Sequence, residues 1–440
     1  MSRKNKITQP LELQVHRLST EGRGIAEYEG KKAFVFGALP DETVRATVTK
    51  QHSRYLETQV DEVLVPSAKR VTPICPHFGR CGGCQLQHLS SEDQLAHKES
   101  QLKNLLEHHG ILPNPIAAPL TGPQTGYRYK ARLGVRYVPK KGGILIGFRE
   151  NHSNKIVEME SCSVIHPKVG HLIEPLKQLL MSLIAYEDIP QIEMAAGENE
   201  VALIFRHLKP LSEEDEAKLV AFCTEHELSL FCQSGGPETV TKRWPDTPPY
   251  LYYTIPDFDI KLFFNPLDFT QVNPMINRKM ITQACDWLAL NAQDHLLDLF
   301  CGLGNFSLPL ARRVQSVIGV EGDAKMVHHA QENARWNGVE NATFYQTNLF
   351  EDCAKAPWHS KSFNKIILDP PRSGAWEVVN QIDRWMPERI LYISCNMTTF
   401  VRDAAHLVHQ KGLTLQIVGL MDMFPHTKHS EVMGLFIKGN

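Results

Sequence analysis

The chain has 440 residues, of which 42% are hydrophobic, 22% charged and 8% aromatic; that balance excludes fibrous and wholly disordered classes, and the length accommodates about three globular domains. Its formal net charge of −2 conceals a polarity, because residues 1–150 carry 22 Lys and Arg against 14 Asp and Glu while the remainder carries 25 against 35. A basic N-terminal third on a near-neutral chain suits a polyanionic partner, with a merely solvated basic surface as the plain alternative.

The opening MSRKNKITQPLELQ lacks the apolar core of a secretory signal, and no apolar run approaches the ~18 residues that span a bilayer. A cytoplasmic protein without a membrane segment is expected. Between Leu11 and Val65, alternating Leu11, Leu13 and Val15, the run Lys32 to Phe36, and alternating Val44, Ala46 and Val48 read as short strands separated by glycine turns. Five such strands predict a small barrel of the oligonucleotide-binding type over residues 1–67, with Arg17, Arg23, Lys31, Lys32, Lys50 and Arg54 available for phosphate. A barrel without a ligand is the alternative.

Pro66 to Pro73 reads as a linker. Cys75, Cys81 and Cys84 follow, whereas the other seven of the ten cysteines stand apart. Ten are too few for a secreted disulfide framework, so the cluster points to metal. A helix is expected from about Glu92 to His109, between Ser91 as N-cap and Gly110 as stop. Residues 68–262 read as a mixed α+β central domain holding the cysteine cluster, with strands near Tyr127 to Val138 and Val201 to His207, a helix near 168–185, and a proline-rich boundary over 237–256. The Glu92–His109 helix has the option of packing elsewhere.

From 263 to 440 short apolar runs alternate with helical patterns. Leu296–Phe300, Val317–Val320, Lys365–Leu368 and Ile390–Ile393 predict buried parallel strands, with helices around 306–313, 323–337 and 376–386. The alternation predicts a Rossmann-like, doubly wound α/β domain. Leu296 to Phe306 reads as a strand, a glycine turn at Gly302 and Gly304, and a helix start. The third glycine expected of a pyrophosphate loop is missing, whereas Glu321 ends the next strand, where an acid accepts both ribose hydroxyls. That pairing favours S-adenosylmethionine over a dinucleotide. Asp369, ahead of two prolines, and Cys395, after Ile390–Ile393, fall at strand ends and face the same crevice. Small-hydrophobe packing is the plain alternative for the cysteine.

A cysteine there has specific chemistry to do. Methylating an amine or hydroxyl needs no protein nucleophile, but carbon 5 of a pyrimidine becomes nucleophilic only after a thiolate adds to carbon 6. A base must then remove the carbon 5 proton so that the thiolate is expelled. His426, His429 and Glu431, before the last strand, are the candidates, a solvated loop carboxylate being the alternative for Glu431.

These residues resemble the RNA uracil-5-methyltransferases. The matching stretches are Phe269-Thr270-Gln271-Val272-Asn273, DLFCGLGNFS, DPPRSG (369–374), SCN with the downstream Thr and Arg-Asp (394–403), and HSE (429–431). The resemblance implies Cys395 as nucleophile, Glu431 as base, and contacts to S-adenosylmethionine from Gln271, Phe300, Asn305, Glu321, Asn348 and Asp369. Met397 stands where the family's nucleophile motif usually has proline. Residues 11–65 are similar to the TRAM barrel of some members. Cys75, Cys81 and Cys84, with Cys162, are similar to their 4Fe–4S ligand set; on residue chemistry alone, zinc and free thiols stay open. TRAM and cluster together resemble the bacterial members that methylate 23S rRNA at a uridine of the uracil-1939 type, and tRNA-acting members are expected to have neither. The implied activity is S-adenosylmethionine-dependent formation of 5-methyluridine in 23S rRNA by a monomer with no obligate protein partner. Another rRNA or tRNA uridine, an amino-group methyltransferase, and a non-catalytic RNA-binding assembly factor are the rivals.

Overall fold

The computed structural model describes residues 7–112, 115–151, 153–385 and 387–438. The chain divides into two compact units. The first holds the chain as far as Gln101 with Leu145–Met159 and Phe424–Lys428, and the second holds Leu102–Ile144, Glu160–Met423 and the remainder from His429.

In the first unit six strands, one more than expected, follow the order Leu11–Gln14, Thr43–Gln51, Tyr55–Val65, Lys31–Phe36, Gly24–Tyr28, Arg17–Leu18. The additional strand, Arg17–Leu18, is a two-residue edge too short to show a period. Alternation sends Leu11, Leu13, Ala33, Val35, Val44, Ala46 and Leu56 into one core. The linker is anchored to this sheet: the buried Glu42 carboxylate accepts from Arg70 Nε at 2.5 Å and from the Ser67 N–H at 3.2 Å.

In the second unit one mixed sheet runs in the order Val240–Trp244, Ser229–Gln233, Val201–Arg206, Gln191–Ala196, Lys130–Val138. The proline-rich stretch 237–256, expected as a boundary, instead contributes the edge strand Val240–Trp244 and the strand Leu251–Ile255, which pairs with Ile260–Phe264. The helix expected near 168–185 is two pieces, Pro167–Gly170 and Ile173–Ser182.

The larger sheet has eight strands, ordered Ala342–Gln346, Ser316–Glu321, His295–Leu299, Lys365–Leu368, Arg389–Ser394, Glu431–Lys438, Leu413–Met421, Ile116–Leu120. The first five are parallel, and Glu431–Lys438 is antiparallel to both of its neighbours. Helices Ser307–Ala311 and Ala324–Trp336 stand between strands as the pattern predicts, and helix Met397–His409 was not anticipated; among the described residues of 376–386 only Trp376–Asn380 and the short turn Ile382–Arg384 form. Leu297, Ile318, Ile366, Tyr392, Phe400 and Phe436 share one buried core with Leu102 and Leu106. The second half of helix Ser91–His108 therefore belongs to this core. No helix among the described residues is long and apolar enough to cross a membrane.

Candidate active site

Five strand ends deliver their next residues to one rim, as an open α/β sheet requires. After His295–Leu299 the backbone reverses at Phe300, whose φ of +67° is unusual for a bulky residue, and continues through Gly302 and Gly304 at φ +54° and +95°. The Phe300 and Cys301 N–H groups donate to the Val320 carbonyl at 2.9 and 3.1 Å, which fixes this loop against the next strand. Glu321, at that strand's end, accepts from the N–H groups of Gly302 at 3.1 Å, Gly322 at 2.7 Å and Asp323 at 3.1 Å. Asn305 is clamped: its Oδ1 accepts from the Tyr253 hydroxyl at 2.8 Å and from Asn277 Nδ2 at 2.9 Å, while its Nδ2 donates to Asn277 Oδ1 at 2.9 Å.

The register between Arg389–Ser394 and Glu431–Lys438 sets Ser394 against Val432. One residue further, that register brings Cys395 opposite Glu431. Glu431 is 5% exposed, and its Oε2 has no hydrogen-bond partner among the described residues. Burial without compensation pushes its carboxyl up to about 7. Burial also raises the half-buried Cys395 thiol; Glu431 and then Asp369 act in the same direction, and the Arg372 guanidinium opposes them. The Asp369 carboxyl is raised well above its usual range by burial and by the neighbouring carboxylates of Glu431, Asp298 and Glu321.

The loop after Asp369 is tied to the helix that follows Cys395. The Arg372 carbonyl accepts from Asn396 Nδ2 at 3.1 Å and Thr399 Oγ1 at 3.2 Å. Buried Asp403 accepts from the Ala375 N–H at 2.9 Å, the Tyr392 hydroxyl at 2.6 Å and Arg402 Nε at 2.7 Å.

Gln271, Phe300, Asn305, Glu321, Asn348, Asp369, Cys395 and Glu431 all line one cavity of about 570 Å³, in which Arg372 is the single cationic side chain. Of the three base candidates, Glu431 alone lines it. His429 lies beside Arg372, with Nδ1 3.5 Å from a guanidinium nitrogen. His426 belongs to the other unit, where it is buried with its N–H donated to Gln94 Oε1 at 2.9 Å. Sequence reasoning missed Tyr253, Asn277 and Phe350. A buried asparagine on the apolar side of helix Pro274–Leu288 was the available signal for Asn277. Cys75, Cys81 and Cys84 lie in the first unit and buried Cys162 in the second; among the described residues no group of three or more His, Cys, Asp or Glu side chains is arranged to hold a metal ion.

A strand-end cysteine and carboxylate thus face one glycine-loop cavity, and comparison with known proteins decides the family. The chain belongs to the tRNA (uracil-5-)-methyltransferase family. That family's model matches residues 90–439, and the TRAM domain model matches residues 5–60. Among similar proteins, the 23S rRNA (uracil(1939)-C(5))-methyltransferase RlmD of Alkalilimnicola ehrlichii is 46% identical over 429 residues, covering 97% of this chain and 96% of the relative. The same-named protein of Hahella chejuensis is 46% identical over 443 residues, with 99% of each chain covered. The crystal structure of Pyrococcus abyssi tRNA (uracil-54, C5)-methyltransferase in complex with S-adenosyl-L-homocysteine shares the fold, with a TM-score of 0.75 at 22% identity over 97% of this chain and all of that one. This enzyme is thus an RNA uracil-5-methyltransferase with a Rossmann-like class I methyltransferase domain and an N-terminal TRAM barrel. The expectation that tRNA-acting members lack the N-terminal barrel needs correction, because the fold of a tRNA-acting enzyme matches 97% of this chain.

Proposed function

We propose that this methyltransferase forms 5-methyluridine in 23S rRNA, at the uridine equivalent to the uracil 1939 named for its relatives, through a covalent link between Cys395 and carbon 6 of the target ring. The near-full-length identity of 46% to proteins named for that reaction supports the substrate. One observation carries the mechanism: Cys395 and Glu431 end adjacent paired strands and line the same cavity as Glu321 and Asn305.

The Cys395 sulfur adds to carbon 6, and the carbon 5–carbon 6 π pair moves toward carbon 5 and the carbon 4 carbonyl. Gln271, Phe300, Asn305, Glu321, Asn348 and Asp369 would hold S-adenosylmethionine, whose sulfonium would supply the methyl group to carbon 5 and leave as S-adenosylhomocysteine. Glu431 takes the carbon 5 proton, the double bond re-forms, and the carbon–sulfur bond breaks to restore the thiolate. A base with its pKa near 7 accepts that proton at neutral pH without being fully protonated beforehand. The carboxylates of the cavity suit a cationic donor, and Phe300 and Phe350, with ring centroids 5.7 Å apart, offer apolar faces. The target base leaves its stack to reach the thiol.

Cys75, Cys81, Cys84 and Cys162 are proposed as ligands of a 4Fe–4S cluster, which would have a structural part and supply no chemical step. The donor set supports this: three thiols fall within ten residues, and Cys81 Sγ accepts the Gly83 N–H at 3.4 Å, as a cluster thiolate does. A Cβ at Gly82 would stand 3.0 Å from the Arg149 carbonyl, so that turn needs glycine. The reading also places the enzyme in the cytoplasm with rRNA.

Mapping methylated uridines in 23S rRNA by mass spectrometry, from cells with and without this protein, tests the substrate. The 1939-equivalent methyl group is expected to disappear alone; its persistence would move the assignment to another RNA.

A further inference from the structure

The barrel carries rings that its core does not use. Ala33 and Val35 face the interior, so alternation turns Lys32 and Phe34 outward. Phe34 meets Tyr55 edge-on, with centroids 5.6 Å apart at 84°, and Tyr55 stacks on His52 at 4.2 Å and 18°. The parallel register sets Lys32 against Tyr55 and Phe34 against Glu57, which makes the rings one patch across two neighbouring strands. All three are half-buried and lie outside the core cluster. The next outward ring, Phe36, is fully covered and stacks with Phe78 at 6.4 Å. Packing therefore consumes one end of this face and leaves the other open.

Charge on the open end is positive. Lys32, Lys50 and Arg54 are exposed around the rings. The acids in register with the rings are Glu27, across from Lys32, and Glu57, across from Phe34; Asp61 and Glu62 lie further along the same strand, bonded by Thr47 and Arg45. Glu57 is already approached by Arg23 at 3.8 Å, Lys50 at 3.7 Å and His52 Nε2 at 3.4 Å. Rings with cations beside them match a nucleic-acid strand whose bases are unpaired, because a duplex hides its base faces and presents phosphates, 2′-hydroxyls and base edges instead. A protein partner would need acidic groups spaced around an apolar patch, whereas every unpaired nucleotide supplies a base face and a phosphate together.

We propose that Phe34, Tyr55 and His52 form a stacking platform for unpaired bases of the RNA substrate, so that the barrel selects single-stranded segments flanking the target. This rests on the RNA reading above and adds to it the class of RNA structure engaged.

The test uses the full chain, a single-stranded RNA oligonucleotide and its duplex, with Kd read by fluorescence anisotropy over a salt series. Phe34→Ala with Tyr55→Ala is expected to weaken single-strand binding roughly tenfold or more, leaving duplex binding and the salt slope unchanged. Lys32→Ala with Arg54→Ala is expected to lower the salt slope instead. Phe34→Tyr with Tyr55→Phe keeps both rings and the affinity. If the double alanine variant fails to fold, His52→Ala, which removes one ring and leaves the other two, carries the same expectation at roughly fivefold. Unchanged single-strand affinity in a folded ring-deleted variant, or an equal loss for duplex, overturns the platform. Cys395 adduct formation on a saturating 5-fluorouridine oligonucleotide separates the two readings. An adduct in wild type with unaltered variant affinity removes the platform alone, whereas no adduct in wild type removes the methylation reading.

Discussion

Burial raises the proton affinity of both Cys395 and Glu431, and only Arg372 among the lining residues favours the thiolate. An uncompensated buried carboxylate is a stability cost whose sign can be worked out. The folded pKa of Glu431, about 7, exceeds its ordinary 4.5, so the folded state binds the proton more tightly. The cost is absent below about pH 4.5, grows as pH rises, and is complete above about 7. Glu431→Gln should therefore stabilise the protein at pH 8 by up to about 3 kcal/mol, and the gain should shrink toward zero by pH 5. Urea unfolding at the two pH values checks this; an equal effect at both would mean that the carboxyl is not shifted. The same variant should accumulate methylated RNA still bound to Cys395, since nothing removes the carbon 5 proton. The position of Cys395 at a strand end was legible from the apolar run before it, whereas the base role proposed for Glu431 was singled out by the family resemblance. His426 was equally plausible by composition, and its exclusion required knowing that Gln94 holds it elsewhere.

The glycine loop is where an element's backbone does the work. Gly304 has φ +95°, and a Cβ there would meet Leu308 Cγ at 3.0 Å. Gly304→Ala combines left-handed strain with a contact the helix start must absorb, and should weaken S-adenosylmethionine binding roughly tenfold or more in calorimetry. Unaltered affinity would show that the loop geometry is not needed for the donor. Strands of this sheet were readable because each buried parallel strand is a short apolar run: Leu296–Phe300 was expected where His295–Leu299 forms. The clamp on Asn305 was not, because Tyr253 and Asn277 come from a hairpin and a helix that carry no motif.

For the molecule as a whole, sequence order and spatial order part company. Ile116–Leu120 pairs with Leu413–Met421 at the sheet's edge, almost three hundred residues away, and its Ala-Ala-Pro composition gives no strand signal. Helix Ser91–His108 likewise contributes Leu102 and Leu106 to a core built mostly after residue 297. Periodicity shows which residues are buried but not against what, so the alternation over 263–440 indicated the doubly wound sheet without this edge. The cysteines pose the same problem of distance, with three in one segment and Cys162 far along the chain. The full chain purified without oxygen should be brown, with about four iron and four sulfide per chain. Cys81→Ser should lose both, and stoichiometric zinc in a colourless protein would replace the cluster with a zinc site.

The decisive measurement is mass spectrometry of the denatured enzyme after incubation with S-adenosylmethionine and an RNA whose target uridine carries fluorine at carbon 5. Fluorine cannot leave as a cation, so elimination stalls after methyl transfer. A stable cross-linked peptide containing Cys395 is predicted, and it should vanish in Cys395→Ala. Normal methylation of ordinary uridine by Cys395→Ala, or a cross-link mapping to any other residue, would contradict the account.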